Sequence, residues 1–243
     1  NFKKLKDSPL SQVKGRFKTI EKSDLDNDGD LDLILGNHGL NSRFKANVKH
    51  PIKLFLNDFD NNRFLDPILS FTAENGKNYP YALRHDLLDQ LKYLNKKFPD
   101  YESFKSATIE DIFTEEQLKE STILEVNTLS SILLINQGGF KFKIQELPTE
   151  TQFSPVYAIA TADFDKDGDQ DILLGGNLNG VKPEFGKYDA SFGNYLENLG
   201  NNKFKFHQTG KGLKVKGQIR DIKILNNKVF ITKNNDSLEV YKY

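Results

Sequence analysis

Apolar and polar residues alternate along most of this chain in short runs, the two-residue period of a strand with one buried face. Runs of this kind, rich in Ile, Val, Phe, Tyr and Thr, predict strands at 16–22, 31–36, 52–56, 67–71, 132–136, 140–144, 156–162, 172–176, 195–198, 204–206, 219–225, 228–232 and 238–241. A short edge strand is predicted at 2–6. The period changes after Tyr79. Leu83, Leu87, Leu88, Leu91 and Leu94 fall at helical spacing, so a helix is expected over 82–97, ending before Pro99. Thr114-Glu115-Glu116-Gln117 reads as a capping box that opens a second helix. The pattern predicts an all-β chain, one region over 1–243, with a small helical insertion at 78–122.

The strands are punctuated by an acidic loop that recurs. Asp24, Asp26, Asp28, Asp30 and Asp32 place five carboxylates in nine residues just before Leu33-Ile34-Leu35-Gly36-Asn37. Asp163, Asp165, Asp167, Asp169 and Asp171 repeat the spacing before Ile172-Leu173-Leu174-Gly175-Gly176-Asn177. A third copy keeps Asp58, Asp60, Asn62 and Asp66, but has Arg63 where the others have Gly29 and Gly168. Carboxylates so crowded repel one another unless a cation sits among them.

Calcium takes six to eight oxygens, and a tight loop supplies them from side chains at positions 1, 3 and 5 and a backbone carbonyl at position 7. These are Asp24, Asp26, Asp28 and the carbonyl of Asp30; Asp163, Asp165, Asp167 and the carbonyl of Asp169; Asp58, Asp60, Asn62 and the carbonyl of Phe64. An EF-hand would need Glu at position 12, where Leu35 stands, and flanking helices in place of strands. Asp32, Asp66 and Asp171 at position 9 close the sphere instead. Two calcium sites are expected, with a weaker third at Asp58, since Arg63 must adopt a left-handed backbone or force another path.

Laid side by side, the unit is strand, acidic loop, strand, connection, strand, turn, and a Phe-rich strand. That order describes a four-stranded antiparallel blade of roughly 50 to 60 residues, a period typical of propellers and arrays.

The acidic loops and the Ile-Leu-x-Gly-Asn strands behind them resemble FG-GAP or VCBS repeats, which build the β-propeller of integrin α chains and of many secreted bacterial proteins. Gly36–Asn41, Pro51–Leu69 and the stretch from Leu147 to Asn177 are also similar to the large FG-GAP-like surface proteins of Bacteroidota. The resemblance implies calcium ligands at the side chains of Asp24, Asp26, Asp28 and Asp32, of Asp163, Asp165, Asp167 and Asp171, and at Asp58, Asp60, Asn62 and Asp66. It implies about four propeller blades. Further blades would come from missing sequence or from another chain. It also implies a non-catalytic binding, adhesion or structural subunit, extracellular or outer-membrane associated at the cell surface, whose partner is a protein or glycan. The alternative is an accessory or catalytic propeller module of a secreted carbohydrate-active enzyme.

Composition narrows the rest. Lys and Arg number 34, as do Asp and Glu, so no net field points to nucleic acid or to an anionic membrane. There is no Cys, which excludes disulfides, thiolate zinc sites and thiol catalysis. No apolar run is long enough to span a membrane. Asn1 stands first and Met is absent, which reads as a processed or trimmed chain whose signal peptide or lipid anchor is already missing. His38, His50, His85 and His207 have no ligand spacing among them, and Ser106, Ser130 and Ser131 lack a nucleophile-elbow context. No catalytic site is expected.

Overall fold

The computed structural model describes residues 1–4, 8–207, 211 and 213–243. The fold is all-β and its sheets are antiparallel. The chain forms two compact units, one from Asn1–Arg43 with Leu129–Tyr243, the other from Phe44–Thr128. In sequence the second is therefore an insertion in the first, falling between two stretches whose strands pair with each other.

In the first unit, β1 (Thr19–Ser23), β2 (Asp32–Gly36), β7 (Ile132–Asn136) and β8 (Phe142–Glu146) make sheet A in the order β1-β2-β7-β8. β2 and β7 are adjacent, with Ile34 opposite Leu133, although the whole second unit lies between them in sequence. Sheet B has the order β12-β11-β10-β9, from β9 (Val156–Ala162), β10 (Asp171–Gly176), β11 (Asn194–Asn198) and β12 (Phe204–His207). Sheet C has three strands, β13 (Ile219–Leu225), β14 (Lys228–Lys233) and β15 (Glu239–Lys242).

β9 packs beside both β1 and β13. Ile34, Leu133, Ile172, Leu174 and Leu196 are buried between sheets A and B. Each such side chain contributes about 1.5–3 kcal/mol. Leu173, Tyr195, Ile219, Ile222 and Ile231 fill the space between sheets B and C.

The Gly-Asn that follows β2 and β10 explains how closely the sheets approach. A Cβ on Gly36 would meet the Val156 carbonyl oxygen at 2.8 Å, and one on Gly175 would meet Ile219 at 2.5 Å. On Gly176 it would lie 1.7 Å from the Pro155 carbonyl oxygen. The Asn behind each glycine is buried. Asn37 accepts the amides of Arg16 (3.0 Å) and His38 (2.8 Å), while Asn177 donates to the carbonyls of Ser191 (2.7 Å) and Gly217 (2.8 Å). Gly176→Ala cannot be relieved by a rotamer change, because the obstacle is backbone. It is expected to cost at least about 2 kcal/mol in a urea melt; an unchanged midpoint would contradict this packing.

The second unit holds sheet D, in the order β5-β4-β3-β6, from β3 (Ile52–Asn57), β4 (Asp66–Thr72), β5 (Asn78–Pro80) and β6 (Thr122–Val126). Between β5 and β6 lie α1 (Arg84–Gln90), α2 (Tyr101–Phe104), α3 (Ile109–Ile112) and α4 (Glu115–Glu120). Leu87, Leu91, Leu94, Ile109 and Phe113 from this segment share one core with Phe55, Phe59 and Ile68 of the sheet side, and Phe59 stacks on Phe113 at 4.0 Å. The helices thus supply the apolar cover of sheet D.

The helix expected over 82–97 breaks at Leu91 (φ −119°, ψ 79°) and continues as a 3₁₀ turn over Lys92–Lys96. There the Asn95 side chain donates to the Lys92 carbonyl, a local bond that competes with the helical ladder. The capping box at Thr114 forms as read, with Thr114 Oγ1 accepting from the Gln117 amide and Gln117 Oε1 from the Thr114 amide. The strand expected at 140–144 starts two residues later, because Gly138, Gly139 and Phe140 all take positive φ in the turn. No strand forms over residues 1–4, and the rest of the edge strand expected at 2–6 lies outside the described residues. Among the described residues no helix is long and apolar enough to cross a membrane.

Candidate metal centres

All three acidic loops follow the same path. Position 4 takes a left-handed backbone in each (Asn27 φ 59°, Asn61 φ 61°, Lys166 φ 67°), and so does position 6 (Gly29 φ 90°, Arg63 φ 73°, Gly168 φ 101°). Arg63 therefore accepts the strained conformation and keeps the loop geometry. The position-1 carboxylate receives the position-6 amide in every copy: Asp24 from Gly29 (3.0 Å), Asp58 from Arg63 (2.7 Å) and Asp163 from Gly168 (3.1 Å). The position-5 side chain receives the position-7 amide: Asp28 from Asp30 (2.8 Å), Asn62 from Phe64 (2.8 Å) and Asp167 from Asp169 (3.0 Å). These bonds curl each loop back on its own side chains.

Three groups of carboxylates converge closely enough to hold a metal ion, each with ligand oxygens within 4.8 Å of one another: Asp24, Asp26 and Asp28; Asp58, Asp60 and Asp66; and Asp163, Asp165 and Asp171. Asp32 is outside the first group and Asp167 outside the third. Asp30, Phe64 and Asp169 stand at position 7, where the backbone amide of each donates to the position-5 side chain.

Position 9 carries a second role that the spacing did not reveal. Asp32, Asp66 and Asp171 are buried, and each accepts the amide of position 2 at 3.1 Å, from Leu25, Phe59 and Phe164 respectively. Asp32 also accepts from the Asn136 amide (2.8 Å), and Asp66 from Gln90 (2.9 Å). Asp171 takes the Asn198 amide (2.8 Å) and the Tyr195 hydroxyl (2.7 Å). Burial raises the pKa of Asp32 and of Asp171, and the backbone donors partly offset this. The signal available in sequence was the apolar residue at position 2, which anchors each loop in the core.

The environments of the first and third loops differ. Oδ1 of Asp24 and Oδ1 of Asp26 are shut off from solvent and accept no hydrogen bond, while Asp26 Oδ2 takes the Asn202 side chain at 2.8 Å. At the third loop Lys211 Nζ lies 3.0 Å from Asp165 Oδ2, and this hydrogen bond holds the Asp165 pKa down. The two loops also touch through Asn27, which donates to Asp169 at 2.6 Å.

Removing the strain at Arg63 gives a local test. A left-handed non-glycine residue costs about 1–2 kcal/mol, and the greater unfolded freedom of Gly returns about 0.5–1 kcal/mol of that. Arg63→Gly is expected to stabilise the protein by about 0.5–1 kcal/mol in a urea melt; a loss of stability would mean that the Arg63 side chain is itself needed.

The histidines stay outside these centres. His38 is buried and packs edge-on against Tyr188, and desolvation pushes its pKa down to about 4. His85 is exposed and bonded to the Tyr101 hydroxyl, and His207 pairs with Glu197. Compared with protein-family models and with curated proteins, the chain matches none.

Proposed function

We propose that this chain is a calcium-binding protein of the FG-GAP/VCBS β-propeller type, a non-catalytic binding or structural subunit of the bacterial cell surface. The observation that carries the reading is the pair of solvent-shielded Oδ1 atoms of Asp24 and Asp26, two carboxylate oxygens with no donor, in a group that also contains Asp28. Buried acceptors of this kind are costly unless a cation satisfies them. Oxygen-only donors from flexible loop positions suit calcium, whose coordination is large and irregular, better than octahedral magnesium.

The propeller reading is supported by the repeat of sheet order in sheets A and B, each beginning at the strand before an acidic loop and ending at a Phe-headed outer strand. The first strand β9 lies beside both β1 and β13, as neighbouring inner strands of blades do. Calcium in this setting fixes the loops and thereby the surface they present.

The test of the surface role is sedimentation of the purified protein with isolated bacterial envelope, in millimolar calcium and in chelator. Calcium-dependent retention is expected. Equal retention in both buffers, or none in either, would remove the support for a calcium-ordered binding subunit.

A further inference from the structure

The turn between β11 and β12 reaches from sheet B to the first acidic loop, which sheet A carries. Asn202 Nδ2 donates to Asp26 Oδ2, Asn198 Nδ2 to the Leu25 carbonyl and Gln145 Nε2 of β8 to the Asn202 carbonyl, each at 2.8 Å. The carboxamide of Asn202 therefore abuts the metal group. Its Oδ1 is shut off from solvent and accepts no hydrogen bond among the described residues, as is the case for Oδ1 of Asp24 and of Asp26. A buried acceptor left unmade is costly, and here three such oxygens adjoin one loop.

The turn itself does not require Asn at this place. The turn between β7 and β8 makes the same bonds: the amides of Gly138 and Gly200 donate to the side chains of Asn136 and Asn198 at 3.0 Å, and those of Lys141 and Lys203 to the carbonyls of Gly138 and Gly200 at 3.1 Å. The residue corresponding to Asn202 is Phe140, which is also left-handed (φ 60° against 57°) and is 77% exposed. At the third loop the carboxylate corresponding to Asp26 is Asp165, and it is met by Lys211 Nζ. An ammonium can only donate, whereas a carboxamide turned about its last bond presents nitrogen or oxygen at nearly the same place.

We infer that Asn202 is a further calcium ligand of the first centre, supplied by the neighbouring sheet: its side-chain oxygen joins Asp24, Asp26 and Asp28, so that the cation is held by sheets A and B together. In the metal-free protein the carboxamide donates to Asp26; a cation among the carboxylates favours its oxygen. A neutral amide adds this oxygen without adding to the repulsion among the carboxylates. The inference rests on the calcium reading above and extends its ligand set beyond the loop.

The experiment titrates calcium chloride into the chelator-treated full chain by isothermal calorimetry, in an Asp167→Ala parent so that the first loop is read apart from the third. Asn202→Gly keeps the left-handed backbone and removes the carboxamide. It is expected to weaken the first site by about tenfold or more. Asn202→Asp keeps an oxygen at the same place and is expected to bind at least as tightly as the parent. Hydrogen exchange of the amides at 199–203 should slow on addition of calcium in the parent and stay unchanged in Asn202→Gly. If Asn202 were a hydrogen-bond donor alone, its removal would free Asp26 for the cation, so an affinity in Asn202→Gly equal to or above that of the parent overturns the inference. Weaker binding in Asn202→Asp than in the parent overturns it too, and this variant decides the matter should circular dichroism show that Asn202→Gly does not fold. A parent chain that takes up no calcium overturns the calcium reading and this inference together, whereas uptake indifferent to Asn202 overturns the inference alone.

Discussion

Chelation of calcium is expected to lower the stability of this protein by about 5 kcal/mol, a fall in melting temperature of roughly 10–20 °C for a chain of this size. Two of the three loops carry five carboxylates in nine residues. In the metal-free state like charges about 4 Å apart repel by about 1 kcal/mol in water and several times that near a protein surface. A bound cation turns that repulsion into attraction. At a hundredfold excess over its dissociation constant, each site adds about 2.7 kcal/mol to the native state. Thermal melts in calcium, in magnesium and in chelator measure the effect. Calcium is expected to raise the midpoint and magnesium to leave it near the chelator value. Equal midpoints in all three would mean that the loops are acidic turns and no more.

Asp171→Ala is expected to cost about 4 kcal/mol even in chelator, and more in calcium. Asp171 is fully buried and accepts three donors, the amides of Phe164 and Asn198 and the hydroxyl of Tyr195. Truncation strands all three in an apolar core, at about 1–3 kcal/mol for each donor left unmade, less whatever relaxation recovers. Asp167 is the contrast. It is exposed, and its Oδ1 holds only the Asp169 amide at 3.0 Å, so Asp167→Ala should matter chiefly in calcium. Urea unfolding of both variants, in calcium and in chelator, separates the roles. If the two lose equal stability in chelator, position 9 has no structural role of its own.

The division between these residues marks what the sequence made legible. Strands 132–136, 156–162 and 219–225 were read to the residue, because β-branched and long apolar side chains recur closely between turn signals. The acidic loops were legible because the same alternation of carboxylates recurs three times, while the template left two paths open at Arg63, of which the chain takes the left-handed one.

Other features were hidden for a physical reason. β2 pairs with β7 across the entire second unit, and no local property of Leu33–Leu35 encodes a partner at 132–134. β6 was missed because its first three residues are exposed and lack the alternation of a half-buried strand. The position-9 carboxylates looked like ligands alone. That they also accept the position-2 amide depends on the burial of Leu25 and Phe59 and the partial burial of Phe164, which spacing does not report. The similarity of the first and third loops likewise concealed Lys211, which approaches Asp165 from 46 residues away. A cation at the third loop has to displace this ammonium, so the Asp24 loop is expected to bind more tightly.

Isothermal titration of calcium into chelator-treated protein tests the central claim most directly. The expected isotherm saturates at about two cations per chain below millimolar calcium, with a weaker event at the Asp58 loop, and loses about one equivalent in Asp28→Ala. Absence of saturable binding up to about 10 mM calcium, or a stoichiometry untouched by Asp28→Ala and Asp167→Ala alike, would contradict the assignment of these loops as calcium sites.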